Sequence, residues 1–231
     1  RLKEMGVDIL WFMPIHPIGK VNRKENEDSM GSYYSVQDYK AVSTDYGTEE
    51  DFRALVEQVH NLGMKVILDW VPNHTAWDNT WMADSSWYTQ DGNGTIVHPA
   101  GTNWTDVADL NFDNEDMANQ MIDAMKYWVL EANADGYRCD AADYVPFEFW
   151  KRAIDSLRVL PNRELVLFAE GARNDHFEAG FDLNFDWIRK GSSFENINFI
   201  KNRILCLPLY PNLPTEKLQY TINTIKSFYK I

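Results

Sequence analysis

The chain has 231 residues, 45% of them hydrophobic, and a formal net charge of −13. That is enough apolar content for one large domain or two small ones, and the charge argues against a phosphate backbone or an anionic membrane as partner. Two cysteines, Cys139 and Cys206, make no disulfide framework, and no run reaches the ~20 apolar residues of a membrane span. No export signal is visible. The chain opens on Arg1, inside what reads as a helix end (Arg1-Leu-Lys-Glu-Met-Gly6), so it reads as a fragment in which export signals could have been lost; cellular location stays open, a secreted or periplasmic one included. Nine tryptophans fit a carbohydrate-stacking surface and equally a large core.

Strand-like runs fall at residues 7–13, 64–70, 135–140, 165–170 and 180–185, with helical patterns between most of them. Thr48-Glu-Glu-Asp51 resembles a capping box with Asp where Glu or Gln is usual. Phe52, Leu55, Val56, Val59 and Leu62 then recur at helical spacing, and Gly63 supplies a stop. A second helix is expected from about Asn114, with Met117, Met121, Met125, Trp128 and Val129 on a core-facing stripe. A third is expected to begin at Pro146, a suitable first-turn residue, and to run through Trp150, Ile154 and Leu157. The alternation predicts an α/β fold, a parallel sheet or barrel.

Two segments break the rhythm. Residues 75–120 hold eight Asp or Glu and no Lys or Arg, with Trp77, Trp81, Trp87, Tyr88 and Trp104. They read either as a solvated acidic insertion or as a substrate wall with a cation site. Residues 201–231 shift to five Lys or Arg with one Glu, no Asp and no Gly, and Leu218, Ile222, Ile225 and Tyr229 have helical spacing.

The candidate chemistry lies at strand ends. Asp140 and Glu170 each close an apolar run, about 30 residues apart, the length of a strand, a crossover helix and a parallel strand. Two carboxylates at the carboxyl ends of neighbouring strands suit acid/base and nucleophilic work on a bond between them. Arg138 shares a strand face with Asp140 and would keep it ionised, while burial behind residues 165–169 would raise Glu170 as a general acid. Cys139 points the other way and packs. Asp69-Trp-Val-Pro-Asn73-His74 ends a third strand and adds Asp69, Asn73 and His74 to the same rim. Three strand-end acids could instead hold Mg²⁺, but the fixed cation of Arg138 opposes a metal there.

Taken in order, Asp69-Trp-Val-Pro-Asn73-His74, Val107-Ala-Asp-Leu-Asn111, Gly136-Tyr-Arg-Cys-Asp140 and Phe168-Ala-Glu170-Gly171 resemble the short motifs of glycoside hydrolase family 13, the α-amylase family. Gly6-Val-Asp-Ile-Leu-Trp-Phe-Met-Pro14 resembles its second barrel strand, and Tyr34-Ser-Val-Gln-Asp38-Tyr39 its next segment. The resemblance covers roughly residues 1–190. It implies a (β/α)8 TIM barrel, incomplete here with about strands 2 to 6. Residues 1–74 and 117–200 would be barrel, 75–116 a B-domain-like insertion, and 201–231 a divergent tail.

The resemblance also implies a retaining double displacement on α-1,4-glucosidic bonds of starch-like glucans or maltooligosaccharides. Asp140 would be the nucleophile and Glu170 the acid/base, their carboxyls ~5–5.5 Å apart. Arg138 would orient Asp140, Tyr34 would stack on the sugar, and Asp69 and His74 would support that subsite. Asn73 and Asp109 would be Ca²⁺ ligands, hard oxygens suited to that ion. Two departures stand out. Asp143-Tyr144 occupies the place of a Lys-His pair, and the family's third carboxylate, within an Asn-His-Asp motif, is absent; Asn174-Asp175-His176 has the letters in another order. With the compositional shift after residue 200, this points to a truncation or frameshift. The alternative function is an inactive fragment that only binds sugar or a partner.

Overall fold

The computed structural model describes residues 1–23, 30–161 and 164–184 in full, and the backbone of 204–207. Its main sheet is built from β1 (Ile9–Phe12), β2 (Lys65–Trp70), β5 (Gly136–Cys139), β6 (Val166–Ala169), β7 (Leu183–Asn184) and β8 (Ile204–Leu207). A separate antiparallel pair, β3 (His74–Ala76) and β4 (Val107–Asp109), belongs to the acidic insertion. The helices are α1 (Glu49–Asn61), α2 (Glu115–Glu131), α3 (Phe147–Arg158) and α4 (His176–Ala179).

The sheet order is β7-β6-β5-β2-β1-β8, with every pairing parallel. From β1 to β7 each strand lies beside the next main-sheet strand in the chain, with no reversal of direction. A doubly wound sheet reverses its order at a switch point; an unreversed series is how a barrel wall is laid down. All five expected strands are present, shorter at their ends than the apolar runs. The expected end at Phe185 lies outside the described residues. β8 was not expected. It pairs with β1 from Ile9↔Ile204 to Phe12↔Leu207, on the edge opposite β2. The helical spacing at 218–229 lies outside the described residues.

Helix α1 starts on the expected capping box: the Thr48 hydroxyl accepts from Asp51 N, and Asp51 accepts from Thr48 N at 2.9 Å. Asp is long enough to close the box here. Its buried face is Phe52, Val56 and Val59, whereas Leu55 and Leu62 are exposed. The i, i+4, i+7 positions meet the sheet, and the other two leucines lie to the side of that stripe. In α2 the whole expected stripe is buried, and Trp128 donates its indole N–H to the Tyr39 carbonyl at 2.7 Å. In α3 Pro146 takes the N-cap position, one residue before the helix. Its φ of −59° and ψ of 144° place it just outside the first turn. Trp70, Trp128 and Trp150 are among the largest fully buried side chains, each contributing on the order of 2–3 kcal/mol from burial. These three of the nine tryptophans are core.

Gly136 opens β5 at a φ of +143°, and a Cβ there would sit 1.9 Å from the Val166 carbonyl oxygen. The β5–β6 contact that sets the spacing of Asp140 and Glu170 thus requires a glycine. Gly136→Ala is expected to destabilise the protein by about 2–3 kcal/mol in denaturant unfolding, whereas Gly92→Ala, with open space around it, should stay within about 0.5 kcal/mol.

Candidate active site

The parallel register brings Asp69 directly opposite Arg138, and Arg138 opposite Phe168. Asp140 and Glu170 follow the last residues of β5 and β6, so the acids converge at one end of the sheet. Arg138 sits between them. Its Nη1 donates to Asp69 Oδ1 at 2.7 Å and Asp140 Oδ1 at 2.9 Å, and Nη2 lies 2.7 Å from Glu170 Oε1. The guanidinium is 4% exposed, packed 5.1 Å from the Trp11 ring centroid and 6.0 Å from that of Tyr34. One buried cation thus organises three carboxylates and two aromatic rings.

Asp69 is completely buried and receives the Trp11 indole N–H at 3.1 Å. It stands behind Arg138, away from the cleft. Burial pushes its carboxyl up to about 7, with Arg138 pulling the other way. Asp140 is buried too, and its carboxyl is raised by desolvation and by the charges of Asp69 and Glu170, against Arg138. The burial expected for Glu170 falls on Asp140 instead: the Glu170 side chain is 39% exposed. Its other oxygen accepts the Ala141 N–H at 2.9 Å. Ala141 adopts a left-handed φ of 48°, a sparsely populated conformation for a residue with a Cβ, and it aims that N–H at Glu170.

A cavity of about 310 Å³ opens over this pair, lined by Ser32, Tyr34, His74, Trp104, Asp106, Val107, Asp140, Ala141 and Glu170. His74 begins β3 and is buried, and desolvation lowers its imidazole to about 4, so it is neutral near pH 7. Its ring lies 3.1 Å from the Asn73 amide nitrogen. Tyr34, His74, Asp140 and Glu170 therefore share one cavity, while Asp69 and Arg138 support it from behind. Of the insertion's aromatics, Trp104 lines the cleft; Trp81 packs on Tyr39 and Trp87, and Tyr88 is buried. Trp11, Trp104 and Asp106 were not singled out as site residues. Trp11 carried one usable signal, an inward strand position on the expected second barrel strand.

Asp143 has a distinct task. Its carboxylate accepts the N–H groups of Ala172 at 3.0 Å and Arg173 at 3.2 Å, holding the loop that follows Glu170. A Cβ on Gly171 would meet that carboxylate at 2.4 Å. Asn73 and Asp109 line a second, smaller cavity with Asn111, Asp113 and Tyr144. Burial raises the Asp109 carboxyl, offset in part by the Thr89 hydroxyl and by His98. Among the described residues no group of three or more His, Cys, Asp or Glu is placed to hold a metal.

An unreversed parallel sheet with an Arg-centred acid pair at adjacent strand ends has the layout of a barrel glycosidase. Residues 1–95 and 101–176 match the family model for the α-amylase catalytic domain, and the chain belongs to the α-amylase family. It is 29% identical over 215 residues to an α-amylase from Dictyoglomus thermophilum, covering 80% of this chain and 41% of the relative. A cyclomaltodextrin glucanotransferase from Geobacillus stearothermophilus is 30% identical over 183 residues, covering 68% and 25%. Solved structures of an α-amylase from Lactobacillus plantarum (33% identity, TM-score 0.72, 88% of this chain and 53% of that one) and a maltogenic α-amylase from Thermotoga neapolitana (35%, 0.72, 87% and 48%) share the fold. The sheet is accordingly part of a TIM barrel. The chain spans about half the length of these structures and less than half that of the curated relatives.

A carboxyl raised on folding binds its proton more tightly in the folded state. Its contribution to stability is complete below the unfolded value near 4 and is lost as pH rises through the folded one. For Asp69 that window runs from about 4 to about 7, and Asp140 shifts in the same direction. The thermal unfolding midpoint is expected to fall as pH rises through this window, and Asp140→Asn should flatten part of the decline. A wild-type midpoint that climbs steadily across it would contradict the raised carboxyls of Asp69 and Asp140.

Proposed function

We propose that this site performs retaining cleavage of α-1,4-glucosidic bonds in starch-like glucans or maltooligosaccharides. The observation that carries the reading is the placement of Asp140 and Glu170 at adjacent strand ends, both on Arg138 and both lining one cavity. A glucosyl unit would stack on Tyr34, with the neutral His74 imidazole offering a hydrogen bond to a hydroxyl. Asp140 would attack the anomeric carbon while Glu170 protonates the departing glycosidic oxygen, leaving a β-glycosyl ester. Glu170 would then take a proton from water as it attacks the ester, so the configuration is retained. The first step needs one ionised and one protonated carboxyl.

In the resting geometry Glu170 Oε1 is held on Arg138 Nη2 at 2.7 Å. Substrate entry would therefore turn Glu170 off Arg138 toward the leaving oxygen, a movement its partial exposure permits.

Calcium belongs to the same proposal. Asn73 and Asp109 are hard oxygen donors on one cavity, and a cation there would relieve the burial cost carried by Asp109. Bound calcium would tie the insertion, through β4, to the end of β2. It takes no part in the bond-breaking steps.

One observation favours a second reading, in which the chain binds sugar without cleaving it. Both Nη atoms of Arg138 are engaged by Asp69, Asp140 and Glu170, and the Asn-His-Asp motif that carries the family's third acid is absent from the sequence. Kinetics on an aryl α-maltoside with a good leaving group separate the two. Asp140→Asn is expected to lower kcat by about 10⁴-fold or more, while Glu170→Gln retains most of the bond-breaking rate because that leaving group needs no proton. Equal residual rates for both variants would contradict the assigned roles, and a folded wild type that binds maltotriose without turnover would establish the second reading. A rise in unfolding midpoint on adding Ca²⁺ that is lost in Asp109→Asn would support the metal site.

A further inference from the structure

Two loops leave the sheet beside the reactive carboxyls, residues 141–146 after β5 and 171–175 after β6, and each is tied to the other. Asp143, on the first, accepts the Ala172 N–H on one carboxylate oxygen at 3.0 Å and the Arg173 N–H on the other at 3.2 Å. Arg173, on the second, returns the contact. Its Nη1 donates to the carbonyls of Asp143 at 3.2 Å and Val145 at 3.0 Å, and its Nε donates to Asp175 at 2.9 Å. His176 is buried behind the pair, its Nε2 3.4 Å from Asp143 Oδ1. Gly171 stands between these ties and Glu170, and a Cβ there would lie 2.4 Å from Asp143 Oδ1 and 2.8 Å from the His176 ring.

We propose that Asp143 and Arg173 are positioning residues for Glu170, a reciprocal clamp between the two loops that aims the acid/base at the leaving oxygen. The backbone of Glu170 lies on the seam between those loops: its N–H donates to the Cys139 carbonyl at 2.8 Å, and its own carbonyl accepts the Ala142 N–H at 2.9 Å. Its side chain is held from the same first loop, by the Ala141 N–H, as well as by Arg138. The next residue is a glycine, which has no side chain to fix the chain, so the course of the loop beyond Glu170 is set by residues 172 and 173 on Asp143. Core packing does not account for the clamp, because the side chains of Asp143 and Arg173 are 37% and 30% exposed. A carboxylate so placed could be satisfied by water, yet both its oxygens are committed to backbone N–H groups of the facing loop, in charge-assisted hydrogen bonds. A general acid has to lie within hydrogen-bond reach of the oxygen it protonates, and a displacement of about 1 Å costs on the order of a hundredfold in rate. A fixed backbone at Glu170 also lets its side chain turn off Arg138 without the loop moving with it. This role rests on the glycosidase reading above and deepens it.

The test reads how strongly the rate depends on the leaving group. Phenyl α-maltoside needs its departing oxygen protonated, whereas chloronitrophenyl α-maltoside departs without that help. In Asp143→Ala and Arg173→Ala the ratio of kcat for the phenyl to that for the chloronitrophenyl substrate is expected to fall about tenfold, with KM changed by about twofold or less. Asp143→Asn, which keeps one acceptor oxygen for the two N–H groups, should fall part of the way and is read in place of an alanine variant that does not fold. Adding Asp143→Ala to Glu170→Gln should lower the ratio no further, because the group being positioned is already lost. A ratio unchanged in the folded single variants, two rates that fall in parallel, or a further fall in the Glu170→Gln background overturns the clamp while leaving the glycosidase reading intact. A folded wild type that cleaves neither maltoside removes both.

Discussion

The site depends on one buried guanidinium. Arg138 is shared by Asp69, Asp140 and Glu170, each within 2.9 Å, and is enclosed by Trp11 and Tyr34. Three carboxylates at that spacing without a cation would repel one another strongly in a low dielectric, and a buried cation without them would be equally costly. Burial raises the carboxyls of Asp69 and Asp140, the neighbouring carboxylates add to it, and Arg138 opposes it. Stability is therefore coupled to pH: the burial that keeps protons on Asp69 and Asp140 makes the site destabilising at higher pH.

The fold supplies the spacing that this arrangement needs. Adjacent parallel strands hold Asp140 and Glu170 one strand apart, and Gly136 lets β5 and β6 approach closely enough to do so. The insertion then closes the cleft from above. Its β3–β4 pair links His74 to Asp109 in register, so the cleft wall and the candidate calcium cavity both draw on one small ribbon. Most of the insertion's aromatics stabilise that ribbon internally, leaving Trp104 to face substrate.

What could be read from the sequence was local or motif-borne. The Thr48 box, the Met117–Val129 stripe, the five strand runs and the Arg138–Asp140–Glu170 constellation each carry their signal within a few residues, or in motifs met in a known order. The features that could not be read are contacts across distance. Trp11 reaches Asp69 over 58 residues. Trp104 is one tryptophan among five aromatics of similar context, and only its packing distinguishes it. Asp143 looked like a departure from a Lys-His pair, and its use as an acceptor for residues 172 and 173 depends on how two loops meet. Glu170 was expected to be buried because an apolar run precedes it, yet that run ends one residue too early to cover its side chain. β8 lies in a segment whose composition had shifted, and its four apolar residues were too short a run to separate from a helix turn.

The central claim is that Asp140 acts as a nucleophile, and covalent trapping tests it most directly. Incubation of the folded chain with a fluorinated glucoside bearing an activated leaving group, followed by peptide mass spectrometry, should find one glucosyl adduct, on the peptide containing Asp140, absent from Asp140→Asn. An adduct on Glu170 or another residue, or no adduct on a folded chain that binds maltooligosaccharide, would contradict it.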